Sequence, residues 1–230
     1  MNPFWFAKGK GVLMNELTLI QKIAVWAIPV LFAITLHEVA HGWAASKLGD
    51  PTAKMLGRLT LNPFKHIDPL GTVLVPLTLL ILSGFVFGWA KAVPVTTRNF
   101  KKPERDMAWV AIAGPLANLI MAVFWAFVIK LGMSLQDSFT GSEFLIFAGI
   151  AGVTINLILM LLNMLPIPPL DGSRVISAFL PKPLAWQYNR LEPYGFFILL
   201  GLMFLGVLNL VLMGPFQASQ QFLYQLVGVN

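Results

Sequence analysis

The sequence predicts an all-α polytopic membrane protein with about four full transmembrane helices, a re-entrant or fifth apolar segment over 69–90 and a short extended segment over 91–100. Two observations carry that prediction. Of the 230 residues, 57% are hydrophobic and 11% charged, with a mean hydropathy of +0.75. A soluble domain is about 25% charged, so the polar surface needed to face water is missing. The second observation is the arrangement: apolar runs of transmembrane length, roughly 20 residues each, alternate with short polar stretches rich in turn residues.

The chain has no cysteine, which excludes disulfides, thiol catalysis and cysteine-based zinc sites. Any metal must be held by His, Asp or Glu. The net charge is +6, but the Lys and Arg residues lie between apolar runs, as in cytoplasmic loops of membrane proteins. A nucleic-acid partner would call for a basic stripe on a soluble face, and none is expected. The N-terminus lacks a small-residue cleavage site, so no removable signal peptide is expected. No internal repeat is visible, and residues 1–230 read as a single membrane-embedded domain with its core at about 17–175.

The elements follow in order. Leu17–Ala45 exceeds the length of a span, so one end projects or the helix tilts, and Pro29 is a kink point because it removes the bond to the Val25 carbonyl. Residues 47–68 are polar and turn-rich. Pro69–Ala90 is apolar but interrupted by Gly71, Pro76, Gly84 and Gly88. KAVPVTTRNF alternates β-branched residues with others, the pattern of an extended segment. Met107–Leu131 forms the next run, and Phe144–Leu165 another, ending where PIPPLDGSRV stops the helix. Pro193–Met213 is the last run. After Gly214-Pro215, residues Phe216, Phe222, Leu223, Leu226 and Val227 have helical spacing, which predicts an amphipathic helix over about 215–228. It lies in the membrane interface or packs on the bundle.

Two of the three histidines stand in His37-Glu38-Val39-Ala40-His41. Residues four apart share a helix face, so both imidazoles can hold one Zn²⁺. Glu38 lies one step round the helix, where a carboxylate can take a proton from water activated by the metal. The motif stands inside an apolar run, where ionisable residues are expensive and usually functional. Catalytic zinc takes a third protein ligand. Asp171, on the proline-rich break after the fourth run, is the candidate; its competing role is a helix cap for the segment beyond Gly172.

These residues resemble a family. HEVAH on an apolar helix, followed about 130 residues later by NMLPIPPLDG, is similar to the site-2 protease family of intramembrane zinc metalloproteases. Residues 113–118, AGPLAN, also resemble a family signature. The matches run from His37 to Gly172 and leave no room for an inserted PDZ-like domain, so the chain resembles a compact member. The resemblance implies one Zn²⁺ per chain held by His37, His41 and Asp171, with Glu38 as general base. It places Asn163 near the site, where it can stabilise an oxyanion. Asn118 either lines the same cavity or makes an interhelical hydrogen bond. His66, in LNPFKHIDPLGT, is an accessory ligand or gate, or a satisfied interfacial histidine.

Topology is constrained by parity. If all five runs span, HEVAH and Asp171 finish on opposite sides; a re-entrant 69–90 brings them together. Nine Lys and Arg between Lys47 and Arg105, with Arg174, Lys182 and Arg190, then share one side, against Lys8, Lys10, Lys22 and Lys130 on the other. The positive-inside rule makes the richer side cytoplasmic. The expectation is therefore an integral multi-pass protein of a prokaryotic cytoplasmic membrane, with its active site towards the cytoplasm. It hydrolyses peptide bonds in or near the spans of membrane-protein substrates, in contact with lipid. The extended segment can pair with a locally unwound substrate by β-augmentation, or is a plain connection. The alternative function is a zinc-binding scaffold or metal transporter without peptidase activity.

Overall fold

A computed structural model describes residues 17–75, 78 and 88–229. The first helix, α1 (Leu19–Lys47), starts at a capping box in which Thr18 and Gln21 satisfy each other's backbone amides. It continues through Pro29 to a length of about 43 Å at 1.5 Å per residue, more than the roughly 30 Å hydrocarbon core. A short α2 (Thr52–Met55) follows. Then come the long α3 (Pro103–Ser134) and α4 (Ser142–Asn163), the small α5 (Asp171–Phe179) and α6 (Lys182–Asn189), and finally α7 (Gly195–Phe204) and α8 (Val207–Val227).

Helices α1, α3 and α4 are each long and apolar enough to cross a membrane. They pack through small residues, Ala33, Ala122, Ala126 and Ala148, around Trp125, Ile129 and Leu157. Small side chains allow the close helix approach that membrane packing depends on. The bulky apolar residues face outward instead: Ile20, Ile23 and Phe32 on α1, and Ile120, Phe124 and Phe127 on α3, are all exposed. This is the inverse of a soluble bundle and suits a lipid solvent.

The last apolar run, Pro193–Met213, is not one continuous helix. It breaks at Gly206, whose φ of +73° ends α7, and the helical segments on either side are bent by 80°. Pro215 does not start a new helix. It sits inside α8, where its ring suits helical φ and only one backbone bond is lost. The predicted tail helix is thus the second half of a longer one. Its Leu223 and Val227 are buried with Phe216 and Tyr224 against the α3–α4 core, so it packs on the bundle. With the bent pair counted as one, the candidate spans among the described residues number up to four.

Residues 76, 77 and 79–87, on which the re-entrant expectation turns, lie outside the described residues. Their flanks meet. The Trp89 N–H donates to the Gly71 carbonyl at 3.0 Å, and the Thr72 hydroxyl donates to the Trp89 carbonyl at 2.9 Å. The chain therefore stands at one level at Gly71 and at Trp89.

The extended segment is shorter than the expected 91–100, because Thr97–Asn99 form a 3-10 turn. No strand occurs among the described residues. Its amides explain why. Lys91 donates to the His66 carbonyl (2.9 Å), Val93 to the Glu38 carboxylate (2.8 Å) and Thr96 to the Asp50 carboxylate (2.7 Å). Two of these three partners are side chains, so these three amides build no ladder within the described residues.

Candidate metal centre

Antiparallel packing of α1 and α3 builds the site. On α1, His37 and His41 lie one turn apart, and their Nε2 atoms are 3.0 Å from each other. Across the seam, His37 Nδ1 meets Asn118 Oδ1 at 2.6 Å and His41 Nδ1 meets the Val110 carbonyl at 2.7 Å. Between those two α3 positions stands Gly114. A Cβ there would run into both imidazoles, so only glycine lets α3 pass this close to the histidines.

Asn118 is fully buried, and its amide nitrogen donates to Asn156 Oδ1 (2.9 Å) and to the Ala33 carbonyl (3.3 Å). That pattern orients its oxygen towards His37. Asn156, also fully buried, completes a relay from α4 by donating to the Gly152 carbonyl at 2.8 Å. Since Oδ1 of Asn118 and the Val110 carbonyl are acceptors, both histidines carry their proton on Nδ1. In the neutral imidazoles both Nε2 atoms are then lone pairs available to a metal.

The third group arrives from α5. Asp171 is its first residue, and Oδ2 lies 3.3 Å from each Nε2. Gly172 lets this turn seat against the carbonyl of Met164, where any Cβ would clash. Oδ2 of Asp171 is buried and has no hydrogen-bond partner. Three ligand atoms thus converge on one point, and a cation placed between them would satisfy all three. Two imidazoles and a carboxylate are a zinc donor set, and these are the residues that can hold a metal among those described.

Glu38, next to His37 on α1, has its Oε2 held by the Val93 amide at 2.8 Å. Of the other residues singled out from sequence, Asn118 makes interhelical bonds, to Asn156 and to His37. Asn163, at the end of α4, donates from Nδ2 to the Leu159 carbonyl at 2.9 Å, which leaves it a second amide proton. His66 is 2% exposed, bonds the Thr60 carbonyl through Nε2 at 3.0 Å, and stands outside the His37–His41–Asp171 group. Sequence reasoning missed Val110, Val93 and Asn156. The first two act through backbone atoms, which leave no residue-type signal, and Asn156 is one polar residue in an apolar run.

No protein-family model matches the chain, and no solved structure matches it. Curated relatives do. "Putative zinc metalloprotease YwhC" of Bacillus subtilis is 42% identical over 177 residues, which cover 75% of this chain and 77% of that protein. "Putative zinc metalloprotease Rip2" of Mycolicibacterium smegmatis is 31% identical over 189 residues, 81% of this chain and 68% of the relative. "Regulator of sigma E protease" of Haemophilus influenzae is 32% identical over 110 residues, 45% of this chain and 25% of its own. With an all-helical membrane fold, a His–His–Asp cluster able to hold a metal ion and these relatives, the chain belongs to the site-2 protease family of zinc metalloproteases.

Proposed function

We propose that this protein is an intramembrane zinc endopeptidase that cleaves peptide bonds in or near the spans of membrane-protein substrates. The observation that carries the reading is the convergence of His37, His41 and Asp171 beside Glu38, a carboxylate on the same helix that no metal ligand uses. In this reading the three residues hold one Zn²⁺. Bound there, zinc supplies a Lewis acid that polarises a carbonyl and acidifies water.

The chain's own groups do the rest. Glu38 takes a proton from the attacking water and later delivers it to the departing amine nitrogen, as the carbonyl carbon gains the hydroxyl and the C–N bond breaks. The Val93 amide fixes one oxygen of that carboxylate, which leaves the other to move the proton. Asn163 has an amide proton to offer a developing oxyanion. Asn118 and the Val110 carbonyl keep both imidazoles in the metal-binding tautomer. The 91–96 segment, extended beside Glu38, gives an unwound substrate a backbone to pair with.

The active site lies towards the cytoplasmic side of the membrane in this proposal. The excess of Lys and Arg on the loops next to both motifs supports that orientation, as do the adjoining ends of the 69–90 segment.

The test is zinc content and cleavage of a panel of single-span substrates by purified protein. Wild type is expected to hold one zinc per chain and to cleave. Glu38→Gln is expected to keep the metal and to lose cleavage by about 100-fold or more, and Asp171→Ala to lose both. Zinc retained by a wild type that cleaves nothing would favour the scaffold or transporter alternative. Folded protein without zinc would sink the metal site.

A further inference from the structure

Asp50 is a fully buried carboxylate outside the metal cluster, on the turn that follows α1. Both of its oxygens are committed. Oδ1 accepts from the Thr52 amide (3.1 Å), the Thr52 hydroxyl and Asn99 Nδ2 (2.7 Å); Oδ2 accepts from the Thr96 amide at 2.7 Å. The bonds to Thr52 are those of an ordinary turn cap. Those to Thr96 and Asn99 are not local. They reach across 46 and 49 residues of sequence to the far end of the segment whose Val93 amide holds Glu38.

The link between Thr96 and Val93 is stiff. Pro94 has a fixed φ and no N–H, and the residue before a proline is restricted to extended conformations. Val93 is itself buried, in contact range of the α1 backbone at Gly42, where a Cβ would come within 2.9 Å of its side chain. At the other end, Arg58 donates to the Lys91 carbonyl at 2.9 Å and the His66 carbonyl takes the Lys91 amide at 2.9 Å. The segment is thus clamped on both sides of the one amide that touches Glu38.

We infer that Asp50 is a positioning residue for the proposed reaction, holding the 93–99 segment in the register that places the Val93 amide on the Glu38 carboxylate. This inference rests on Glu38 acting as base, but its structural half does not. Removing the Asp50 carboxylate releases the Thr96 amide, lets the Val93–Pro94 unit shift, and frees the carboxylate from the geometry in which one oxygen is fixed.

The experiment compares wild type, Asp50→Ala, Val93→Pro and the double variant by steady-state cleavage, zinc content and hydrogen exchange over 91–99. Asn99→Ala is a milder variant should Asp50→Ala fail to fold. Asp50→Ala is expected to lower kcat by about 10- to 100-fold, the scale of an ångström-sized misplacement, with KM within about twofold and one zinc per chain retained. Val93→Pro deletes the donor itself, so its loss should be similar and the double variant little worse than either single one. Exchange over 93–99 should quicken in Asp50→Ala, and to a smaller degree in Asn99→Ala. Unchanged exchange there would overturn the inference even if no substrate were cleaved by wild type, the result that would fell the protease reading instead. So would unchanged kcat with quickened exchange, or losses from Asp50→Ala and Val93→Pro that simply multiply.

Discussion

His37 Nδ1 and Asn118 Oδ1 are 2.6 Å apart in the buried seam between α1 and α3. That single bond sets which imidazole nitrogen carries the proton, and therefore which one presents a lone pair to the metal position. Second partners of this kind are worth about 10–100-fold in metal affinity. Asn118→Ala should accordingly weaken zinc binding by that factor, measured by competition with a chromophoric chelator. Unaltered affinity would mean that the tautomer is held by something other than Asn118.

Gly114 makes a second, steric prediction. Its would-be Cβ falls among the atoms of the His37 and His41 rings, so Gly114→Ala must push α3 away from α1 or turn the imidazoles aside. Overpacking of this sort costs about 1–3 kcal/mol. The thermal midpoint in detergent should drop, and zinc affinity should fall at least about tenfold with it. An alanine variant with native zinc affinity would show that the seam has slack the described geometry does not contain.

Much of this was legible from residue types. HEVAH declares a helix and a shared face through its spacing, and Asp171 is marked out by the prolines that deliver it. The three long helices follow from apolar runs, whose only demand is length. What resisted reading was of two kinds. Val93 and Val110 contribute an amide and a carbonyl, and every residue has those. The division of the last run hinges on Gly206 adopting a positive φ, while Pro215, the stronger breaker by reputation, is accommodated inside α8. Tertiary packing of Leu223 and Val227 on the bundle outweighs the one lost bond there.

Asp50 also predicts an acid sensitivity independent of catalysis. Burial alone would push its carboxyl up, but the hydrogen bonds from Thr52, Thr96 and Asn99 overcome that and hold it below the ordinary carboxylate value. A lowered value in the folded state adds stability that is fully present above the unfolded value of about 3.9, and is lost as the pH falls through the lowered one. The thermal midpoint of wild type should therefore decline below about pH 4. Asp50→Asn should start lower at neutral pH and decline less over the same interval. Parallel curves for the two proteins would remove Asp50 from the account of acid stability.

Withdrawing the metal should destabilise the fold itself, because a cation held by His37 Nε2, His41 Nε2 and Asp171 Oδ2 ties α1 to α5. A ligand present at about 1,000 times its Kd adds about 4 kcal/mol to the folded state. Treatment with a strong chelator should lower the unfolding midpoint of wild type, and re-addition of zinc should restore it. Asp171→Ala should be nearly indifferent to both. A wild type whose midpoint ignores chelation would mean that zinc either is not bound there or does not link α1 to α5.

The orientation is tested most directly by exploiting the absence of cysteine, since any introduced thiol is the sole target of a maleimide. Ser138 lies exposed in the α3–α4 connection, a stretch without Lys or Arg, and Lys101 lies exposed just before α3. Because α3 crosses between them, the two positions must report opposite sides. Lys101 shares its side with the end of α1 that follows HEVAH, through the bond between the His41 ring and Val110 near the start of α3. Ser138→Cys should react with a membrane-impermeant maleimide in intact spheroplasts, and Lys101→Cys only after permeabilisation. The reverse pattern would place the metal centre towards the outside, against the charge asymmetry. Labelling of both positions from one side would mean that α3 does not cross, and the parity that brings His41 and Asp171 together would need another explanation.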